Sequence, residues 1–322
     1  GKIGAKNKSS KKVIRNHLNA ILENKNFEIK KLIDSDINQI EIIKKEYSFL
    51  QKDVFSNKCD GKKIQKIDLL VISSPPKQRS SQIQELLNNF STKILLIEKP
   101  LVENLTEAKK IINVLKKPNN SKIKVFINFI RRYSSGFNQI KDYIKDEKPL
   151  HINIRYNKGL INYGSHLIDF LIDWFGKIEY VESYDLRNHS ENDMNVSFHC
   201  KMKKKINVNF QFIDKVNYDQ FEIDLFFKDK KISFRNGGVE KTKSEAINSL
   251  YYSGYRHLGE EKKFKDQDFI GDFRFLYGII CKYFLVKNYK VPLCDINQSF
   301  YNVQIIDSII TSFEKNKKIF IK

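Results

Sequence analysis

The stretch Ile94-Leu95-Leu96-Ile97-Glu98-Lys99-Pro100-Leu101 decides the fold class. Its first four residues form a continuous apolar run, which is typical of a parallel strand that is buried on both faces. Open α/β sheets bind their ligands at the carboxyl ends of such strands. A lysine at that edge is partly desolvated and within reach of a ligand. We therefore predict that Lys99 is catalytic; the alternative is a lysine that ends the strand and points to water.

Apolar runs alternate with helical patterns around this stretch. Strands are predicted at 68–72 and 124–128, and helices at 80–89 and 106–115. This alternation predicts an α/β fold with a doubly wound parallel sheet of the Rossmann type. The serines and prolines after residue 72 suit a loop that lets the nicotinamide half of a dinucleotide approach the backbone, although the prolines could also simply end the strand. The predicted contacts of this loop are Ser73, Ser74 and Pro75.

The opening residues match part of a phosphate-binding loop. Gly1-Lys2-Ile3-Gly4 is what remains of G-x-G-x-x-G if the motif is cut after its second residue. A helix predicted at 16–23 would receive the pyrophosphate at its N-terminus. We therefore expect a fragment that lacks the first strand and the first glycine of the motif, with an insertion at 5–14. A chance pair of glycines is the alternative.

An acidic residue ends the next predicted strand, 27–33. The carboxylate of Asp34 would accept hydrogen bonds from the adenosine ribose hydroxyls and repel a 2′-phosphate, which favours NAD over NADP. The alternative is that Asp34 caps the helix predicted at 36–47.

Composition limits the classes of function. The chain has 322 residues and a formal charge of +20, mostly from lysines that are spread along the sequence. This spread indicates composition bias rather than a nucleic-acid stripe, although it would attract an anionic substrate. The four cysteines lack C-x-x-C spacing, and no apolar stretch approaches the length of a membrane span. We predict a cytoplasmic protein without a metal, a membrane or a nucleic-acid partner.

Beyond residue 150 the pattern changes to alternating apolar and polar residues. Six such strands are predicted between 151 and 234, with an amphipathic helix at 164–175 and two further helices at 269–285 and 298–313. We predict a dinucleotide-binding domain at 1–128 and an α+β domain at 129–322 with an open, mainly antiparallel sheet.

The helix start Asn162-Tyr163-Gly164-Ser165-His166-Leu167-Ile168-Asp169 carries a second candidate group. Asp169 follows His166 by three residues and so lies on the same helix face. A neutral histidine held by a carboxylate is a good general base near pH 7. The alternative is a purely structural hydrogen bond. We expect His166 and Lys99 to form two walls of one cleft.

Three ordered motifs together resemble the Gfo/Idh/MocA family of NAD(P)-dependent oxidoreductases. They are Glu98-Lys99-Pro100, Asn128-Phe129-Ile130-Arg131-Arg132 and Gly164-Ser165-His166-Leu167-Ile168-Asp169. The resemblance implies that Lys99 contacts the substrate hydroxyl and the nicotinamide, that His166 is the acid/base, and that Asp169 is its partner or a substrate ligand. It also implies a C-terminal sheet that forms a homo-oligomer. The segment 158–166 looks like members that act on sugars or sugar nucleotides for surface polysaccharides.

The full set of expected contacts follows from these arguments. The cofactor residues are Gly1, Lys2, Ile3, Gly4, Asp34, Ser73, Ser74, Pro75, Glu98, Lys99 and Asn128; the substrate residues are Arg131, Arg132 and Asn162. Arg131 and Arg132 could bind a substrate phosphate or form an inter-domain salt-bridge pair.

Two departures from the family pattern qualify the resemblance. Asn162 stands where many members carry an aspartate, so the base role falls on His166. Lys77, Gln78 and Arg79 stand where the family usually has a histidine. A non-catalytic NAD-binding sensor or scaffold on the same fold is the alternative function.

Overall fold

The computed structural model of the protein describes residues 4–5, 13–59, 64–191, 193–264 and 271–321. These residues divide into two compact units. The first lies within Gly1–Tyr133 and Gly271–Phe300, and the second within Ser134–Ile270 and Tyr301–Lys322.

The helices and strands follow in chain order. The helices are α1 (His17–Glu23), α2 (Ile37–Glu46), α3 (Arg79–Asn89), α4 (Leu105–Leu115), α5 (Ser135–Tyr143), α6 (Ser165–Phe175), α7 (Phe273–Leu285) and α8 (Ile296–Glu314). The strands are β1 (Leu32–Ile33), β2 (Phe55–Ser56), β3 (Gln65–Ile72), β4 (Phe90–Glu98), β5 (Lys124–Asn128), β6 (His151–Tyr156), β7 (Ile178–Ser190), β8 (Asp193–Met202), β9 (Asn207–Phe212), β10 (Phe221–Phe226), β11 (Lys230–Arg235), β12 (Glu240–Asn248), β13 (Arg256–Leu258), β14 (Lys262–Lys263), β15 (Cys294–Asp295) and β16 (Ile319–Phe320).

The first unit is built on the parallel sheet that the sequence predicts. Its strand order is β15-β5-β4-β3, with β3, β4 and β5 parallel and β15 antiparallel to β5. The apolar run 94–97 lies in the central strand β4 and is fully buried. Successive strand residues point to opposite faces. Such a run therefore needs helices on both faces, and the predicted α/β fold of Rossmann type is confirmed.

Helix α7 covers one face of this sheet together with α1. Leu276 and Tyr277 of α7 pack in one core with Ile94 and Leu96 of β4 and with Ala20 of α1. This packing and the pairing of β15 with β5 place residues 271–300 in the first unit. The division therefore differs from the expected one, which assigned everything after residue 128 to a second domain.

The region around Asp34 is less regular than expected. The strand predicted at 27–33 is reduced to β1, which pairs in parallel with β2. Leu32 and Phe55 pack against a small core that contains Leu18 of α1 and Ile43 of α2. Apolar packing therefore supplements the two-residue pairing of β1 with β2 in this part of the unit.

The second unit is an open sheet with the order β13-β12-β11-β10-β6-β9-β8-β7-β16, and β14 pairs with β12. Its neighbours are antiparallel except β6 and β9, which are parallel. Alternate residues of β6 are buried and exposed, so one face of the sheet carries the core. Helices α5, α6 and α8 pack on that face through residues such as Phe137, Phe170 and Ile309. The predicted mainly antiparallel sheet is confirmed.

The described segments lack two features. Among them no helix is long and apolar enough to cross a membrane. No cluster of three or more His, Cys, Asp or Glu side chains with metal-binding geometry occurs in that same part of the chain.

Candidate functional site

The carboxyl ends of β4 and β5 bring two of the predicted cofactor residues together. Glu98, the last residue of β4, lies opposite Asn128, the last residue of β5. Both are buried, with 5% and 2% of their surface exposed. Nδ2 of Asn128 donates a hydrogen bond to Oε1 of Glu98. Lys99 follows directly and is partly buried, so it stands at the edge where open α/β sheets bind ligands.

A buried histidine links this edge to two helices. Nε2 of His17 lies 2.9 Å from Oε1 of Glu98, and Nδ1 lies 2.8 Å from the hydroxyl of Tyr277. An ionised carboxylate only accepts hydrogen bonds, so Nε2 of His17 carries a proton in this contact, and the hydroxyl of Tyr277 is the hydrogen-bond partner of Nδ1. Burial raises the pKa of Tyr277 well above its usual value, and the charge of Glu98 raises it further. The hydroxyl therefore stays protonated and remains a donor.

Arg79, the first residue of α3, is fully buried and binds three backbone carbonyls. Nη1 donates to the carbonyl oxygens of Glu98 at 2.7 Å and of Pro100 at 3.3 Å. Nη2 donates to the carbonyl oxygen of Ser74. Burial lowers the pKa of Arg79 to about 10, while the charge of Glu98 acts in the opposite direction. The guanidinium therefore connects the end of β4 with the loop after β3.

Gly4 and Ser73, two predicted cofactor residues, lie against each other. A Cβ atom on Gly4 would lie 2.7 Å from Oγ of Ser73. The carbonyl oxygen of Ala5 accepts a hydrogen bond from Nδ2 of Asn16, whose Oδ1 caps α1. The glycine thus lies near both the start of α1 and the end of β3, which fits a loop that holds phosphate groups. The remaining expected contacts of this loop, residues 1–3, lie outside the described residues.

Asn128 carries an acceptor that also fits the expected cofactor. Its Oδ1 atom is buried and accepts no hydrogen bond from the residues that the structure describes. Leaving such an atom unpaired costs about 1–3 kcal/mol. The carboxamide of a nicotinamide ring carries N–H donors, so the cofactor could supply the missing partner.

Asp34 lies at the carboxyl end of β1, where the sequence predicts it. The N-cap of α2 is Asp36, whose carboxylate accepts from the backbone nitrogens of Asn38 and Gln39. Oδ1 of Asp34 accepts from the backbone nitrogen of Asp36 at 3.1 Å. The alternative interpretation of Asp34 as the helix cap is therefore wrong.

The remaining expected residues of the first unit lie in two loops. Ser74 and Pro75 follow β3, where Oγ of Ser74 donates to Oε1 of Gln82 at 2.7 Å and Pro75 is exposed. Arg131 and Arg132 lie in the 3-10 turn Ile130–Tyr133 after β5. Arg132 is 5% exposed, and its Nη1 donates to Oε1 of Gln298 at 2.7 Å, a contact within the first unit.

In the second unit, His166 and Asp169 lie in the first turn of α6, and both are buried. A π-helical turn, Gly159–Gly164, leads directly into this helix. Asn162 lies in that turn and is exposed. The predicted one-turn spacing of His166 and Asp169 is therefore present, at the start of a helix whose entry is a tight, unusual turn.

The side chain of Asp193, the first residue of β8, binds the backbone of this turn. Its carboxylate accepts from the nitrogens of Ile161 at 2.9 Å and Asn162 at 3.0 Å, and Oδ1 of Asn195 accepts from the nitrogen of Gly159 at 2.9 Å. Burial raises the pKa of Asp193, and the three backbone hydrogen bonds, one of them from Met194, only partly offset this.

Gly159 is the residue that permits this contact. Its φ is +89°, and a Cβ atom there would lie 1.9 Å from Oδ2 of Asp193. Only glycine satisfies both the backbone angle and the available space.

Residues 10–126 match the model of an oxidoreductase family with an NAD-binding Rossmann fold, GFO_IDH_MocA. The match covers the central strands and ends before the second unit begins. No curated protein sequence matches the chain.

Several solved structures are similar to this chain over nearly its whole length. A super-repressor mutant of Gal80p from Saccharomyces cerevisiae has 15% identity and a TM-score of 0.75, and the alignment covers 94% of this chain and 93% of that one. The transcriptional regulator Gal80p from Kluyveromyces lactis has 15% identity and a TM-score of 0.72, with 94% and 89% covered. The WlbA dehydrogenase from Chromobacterium violaceum, in complex with NADH and UDP-GlcNAcA, has 11% identity and a TM-score of 0.72, with 95% and 92% covered. At these identities the similarity shows the fold.

Three residues of the site escaped sequence reasoning. His17 lies in the helix predicted at 16–23 but has no role in the motif, Asp193 lies in a segment without a recognised motif, and Arg79 stands in the sequence only as a departure from the family pattern. For Arg79 alone the sequence offered a signal, the pair of prolines before it. They end the strand in a turn, and a charged residue that follows such a turn lies near the sheet edge.

Proposed function

We propose that the whole chain belongs to the Gfo/Idh/MocA family and is an NAD-dependent oxidoreductase acting on a secondary hydroxyl, or the corresponding ketone, of a sugar or sugar nucleotide. The observation that carries the proposal is Lys99 at the carboxyl end of β4, beside the buried pair Glu98 and Asn128, in a segment that matches an NAD-binding family model.

The cofactor in this proposal is NAD. Gly4 and the loop after β3 would hold its phosphates, Asp34 the adenosine ribose, and Oδ1 of Asn128 the carboxamide. When bound, NAD supplies a hydride acceptor, and NADH a hydride donor, at C4 of the nicotinamide ring. A carboxylate at Asp34 favours NAD over NADP because it repels a 2′-phosphate.

The two remaining roles concern the substrate hydroxyl. The ammonium group of Lys99 donates a hydrogen bond to the hydroxyl oxygen and so orients and polarises it. His166 takes the hydroxyl proton in the oxidation and returns it in the reduction. Asp169, one turn further along α6, holds the imidazole in the productive orientation. Asn162 cannot ionise, so it can only hydrogen-bond to the substrate.

The substrate class is supported by charge and by similarity. A formal charge of +20 attracts an anionic substrate, and Arg131 and Arg132 follow β5 at the same sheet edge as Lys99. Among similar structures, WlbA was solved with UDP-GlcNAcA. We therefore propose a sugar nucleotide before a free sugar.

Absorbance of NADH in the presence of a substrate panel tests this function. The purified protein is incubated with NAD or NADP and with UDP-, GDP- and dTDP-sugars, and the parallel assay measures binding of each dinucleotide by calorimetry. We expect NAD to bind and at least one sugar nucleotide to give turnover. Tight binding of NAD without hydride transfer to or from any member of the panel would contradict the proposed activity on sugar nucleotides.

The second candidate is a non-catalytic NAD-binding sensor on the same fold. It is supported by the similarity to Gal80p, a transcriptional regulator, and by Asn162 in place of an ionisable residue. Under this hypothesis the wild-type protein binds NAD but turns over no sugar nucleotide, and loss of NAD binding changes its association with a partner.

We also propose that the second unit forms a homo-oligomer through its sheet, in the cytoplasm. The support is the exposed face of β6, where His151 and Asn153 alternate with the buried Ile152 and Ile154. Light scattering after size-exclusion chromatography measures the oligomeric state, and a monomer at micromolar concentration contradicts this proposal.

A further inference from the structure

We propose that Arg79 is a positioning residue for Lys99, and that its guanidinium sets the place of the lysine backbone at the sheet edge. The inference rests on the catalytic role of Lys99 in the proposed function. It concerns a residue that neither the motifs nor the family match assigns.

Arg79 binds the backbone of the two residues that flank Lys99 in the chain. Nη1 binds the carbonyl oxygen of the residue before Lys99, Glu98, at 2.7 Å, and that of the residue after it, Pro100, at 3.3 Å. One nitrogen thus bridges both sides of a single residue. Rotation of the Lys99 backbone would move at least one of these carbonyls and break a charge-assisted hydrogen bond, which contributes about 1.5–3 kcal/mol.

The second nitrogen fixes the guanidinium itself. Nη2 donates to the carbonyl oxygen of Ser74, in the loop after the neighbouring strand β3. The guanidinium is therefore bound on one side to the loop after β3 and on the other side to the end of β4. A guanidinium is planar and presents its donors in a rigid fork, so it can reach acceptors on two strands at once. A lysine at this position would offer a single nitrogen and could not span them.

The burial of Arg79 argues for a specific role rather than for helix stability. The side chain is completely buried. It begins α3, where a positive charge is unfavourable because the helix dipole is positive at this end. The preceding residue, Gln78, adopts a left-handed conformation with φ of +55°. Three features at this position are unfavourable: the charge is desolvated, the helix dipole opposes it, and the preceding backbone angle is uncommon. The hydrogen bonds of the guanidinium, two of which flank Lys99, compensate for them.

The consequence for function is geometric. A catalytic group must be held close to its productive position, and an error of 1 Å costs about 100-fold in rate. Because Lys99 lies beyond the last residue of β4, the strand ladder fixes only one side of it. Arg79 supplies the restraint on the other side, at Pro100.

The test compares Arg79→Lys and Arg79→Ala with Arg274→Lys. Arg274 lies in the same unit, near the start of α7, and is bound to Asp272 at 2.6 Å, so it controls for loss of a guanidinium contact away from Lys99. We expect both Arg79 variants to lower kcat by about 100-fold, with a smaller loss of NAD affinity because Nη2 also holds Ser74, and Arg274→Lys to change neither. Added guanidinium ion should restore part of the activity of Arg79→Ala and none of that of Lys99→Ala.

Hydrogen exchange followed by mass spectrometry gives a readout that does not depend on activity. Exchange should accelerate in both Arg79 variants in the peptide that covers 98–103, relative to a peptide from the core of β4, and should not do so in Arg274→Lys. Equal acceleration throughout the first unit, or unchanged exchange and unchanged kcat, would overturn the inference. If the wild-type protein turns over no substrate, the proposed function fails, and the exchange data still decide whether Arg79 anchors the segment around Lys99.

Discussion

Oε1 of Glu98 lies 2.9 Å from Nε2 of His17, and both side chains are buried. This contact joins the residue before Lys99 to α1, and through the hydroxyl of Tyr277 it reaches α7. The same carboxylate oxygen accepts from Asn128. The sheet edge that carries Lys99 is therefore fixed by polar contacts from two helices and a neighbouring strand, and not only by the apolar core beneath it.

Removal of the Tyr277 hydroxyl should destabilise the folded protein measurably. Tyr277→Phe leaves Nδ1 of His17 without its hydrogen-bond partner, and we expect the free energy of unfolding to fall by about 1–3 kcal/mol. Urea denaturation measures the change. Tyr283→Phe, on the same helix, is the control and should have a smaller effect, since no hydrogen bond of its hydroxyl is part of the network. Equal losses in the two variants would contradict the role given to Tyr277.

Gly159 should be far less tolerant of alanine than a glycine with a similar φ and open space around it. Gly159 and Gly254 have φ of +89° and +81°, and of these two only Gly159 has a neighbour, Asp193, in the place of a Cβ atom. Alanine at Gly254 adopts the strained angle without a close contact, which costs about 1 kcal/mol, and alanine at Gly159 should cost about 1–3 kcal/mol more. Thermal unfolding of both variants measures the difference. Similar melting temperatures would contradict the added cost of a Cβ atom against Asp193.

The burial of Asp193 also predicts that the free energy of unfolding depends on pH. Burial raises the pKa of Asp193 above 3.8, so the folded state binds the proton more tightly than the unfolded state. The contribution of this carboxyl to the free energy of unfolding is therefore greatest below 3.8 and decreases as pH rises through the folded pKa.

Subtraction of Asp193→Asn isolates this contribution, because other titrating groups are common to both proteins. We expect the difference in free energy of unfolding, wild type minus variant, to decrease with rising pH in the interval above 3.8 and then to level off. A difference that increases with pH would show that the three backbone hydrogen bonds outweigh burial.

Asp34 should control the preference between the two dinucleotides. Asp34→Asn removes the charge that repels a 2′-phosphate and weakens acceptance from the ribose hydroxyls. The ratio of NAD to NADP affinity should then fall by roughly 10- to 100-fold. Calorimetric titration of both dinucleotides gives the ratio. Asp36→Asn is the matched control, since Asp36 is the cap of α2, and it should leave the ratio unchanged.

The sequence was most informative where burial on both faces demanded a continuous apolar run. The runs at 68–72, 94–97 and 124–128 lie in β3, β4 and β5, and parallel pairing then brings Glu98 opposite Asn128. The helix around His166 was also predicted, because the segment is amphipathic and a glycine, Gly176, follows it; in the structure this glycine has a φ of +88°.

Contacts between distant segments could not be predicted from local pattern. Strand β15 has two residues and no periodicity, and its pairing with β5, 167 positions away at Cys294 and Ile127, is what helps to place residues 271–300 in the first unit. Arg79 is similar, because its acceptors are backbone carbonyls, which leave no trace in the residue types. Asp193 binds backbone N–H groups, which are equally invisible in a sequence.

Turnover of the wild type, Lys99→Ala and His166→Ala, measured beside their NAD affinity, tests the central claim most directly. With the best substrate of the panel, both variants should lose turnover by a factor of at least about 100, as expected for loss of a group that orients or transfers the proton, while each still binds NAD. The double variant should lose little more than either single one, because both residues are assigned to the same hydroxyl. Unchanged turnover in both single variants would contradict the account.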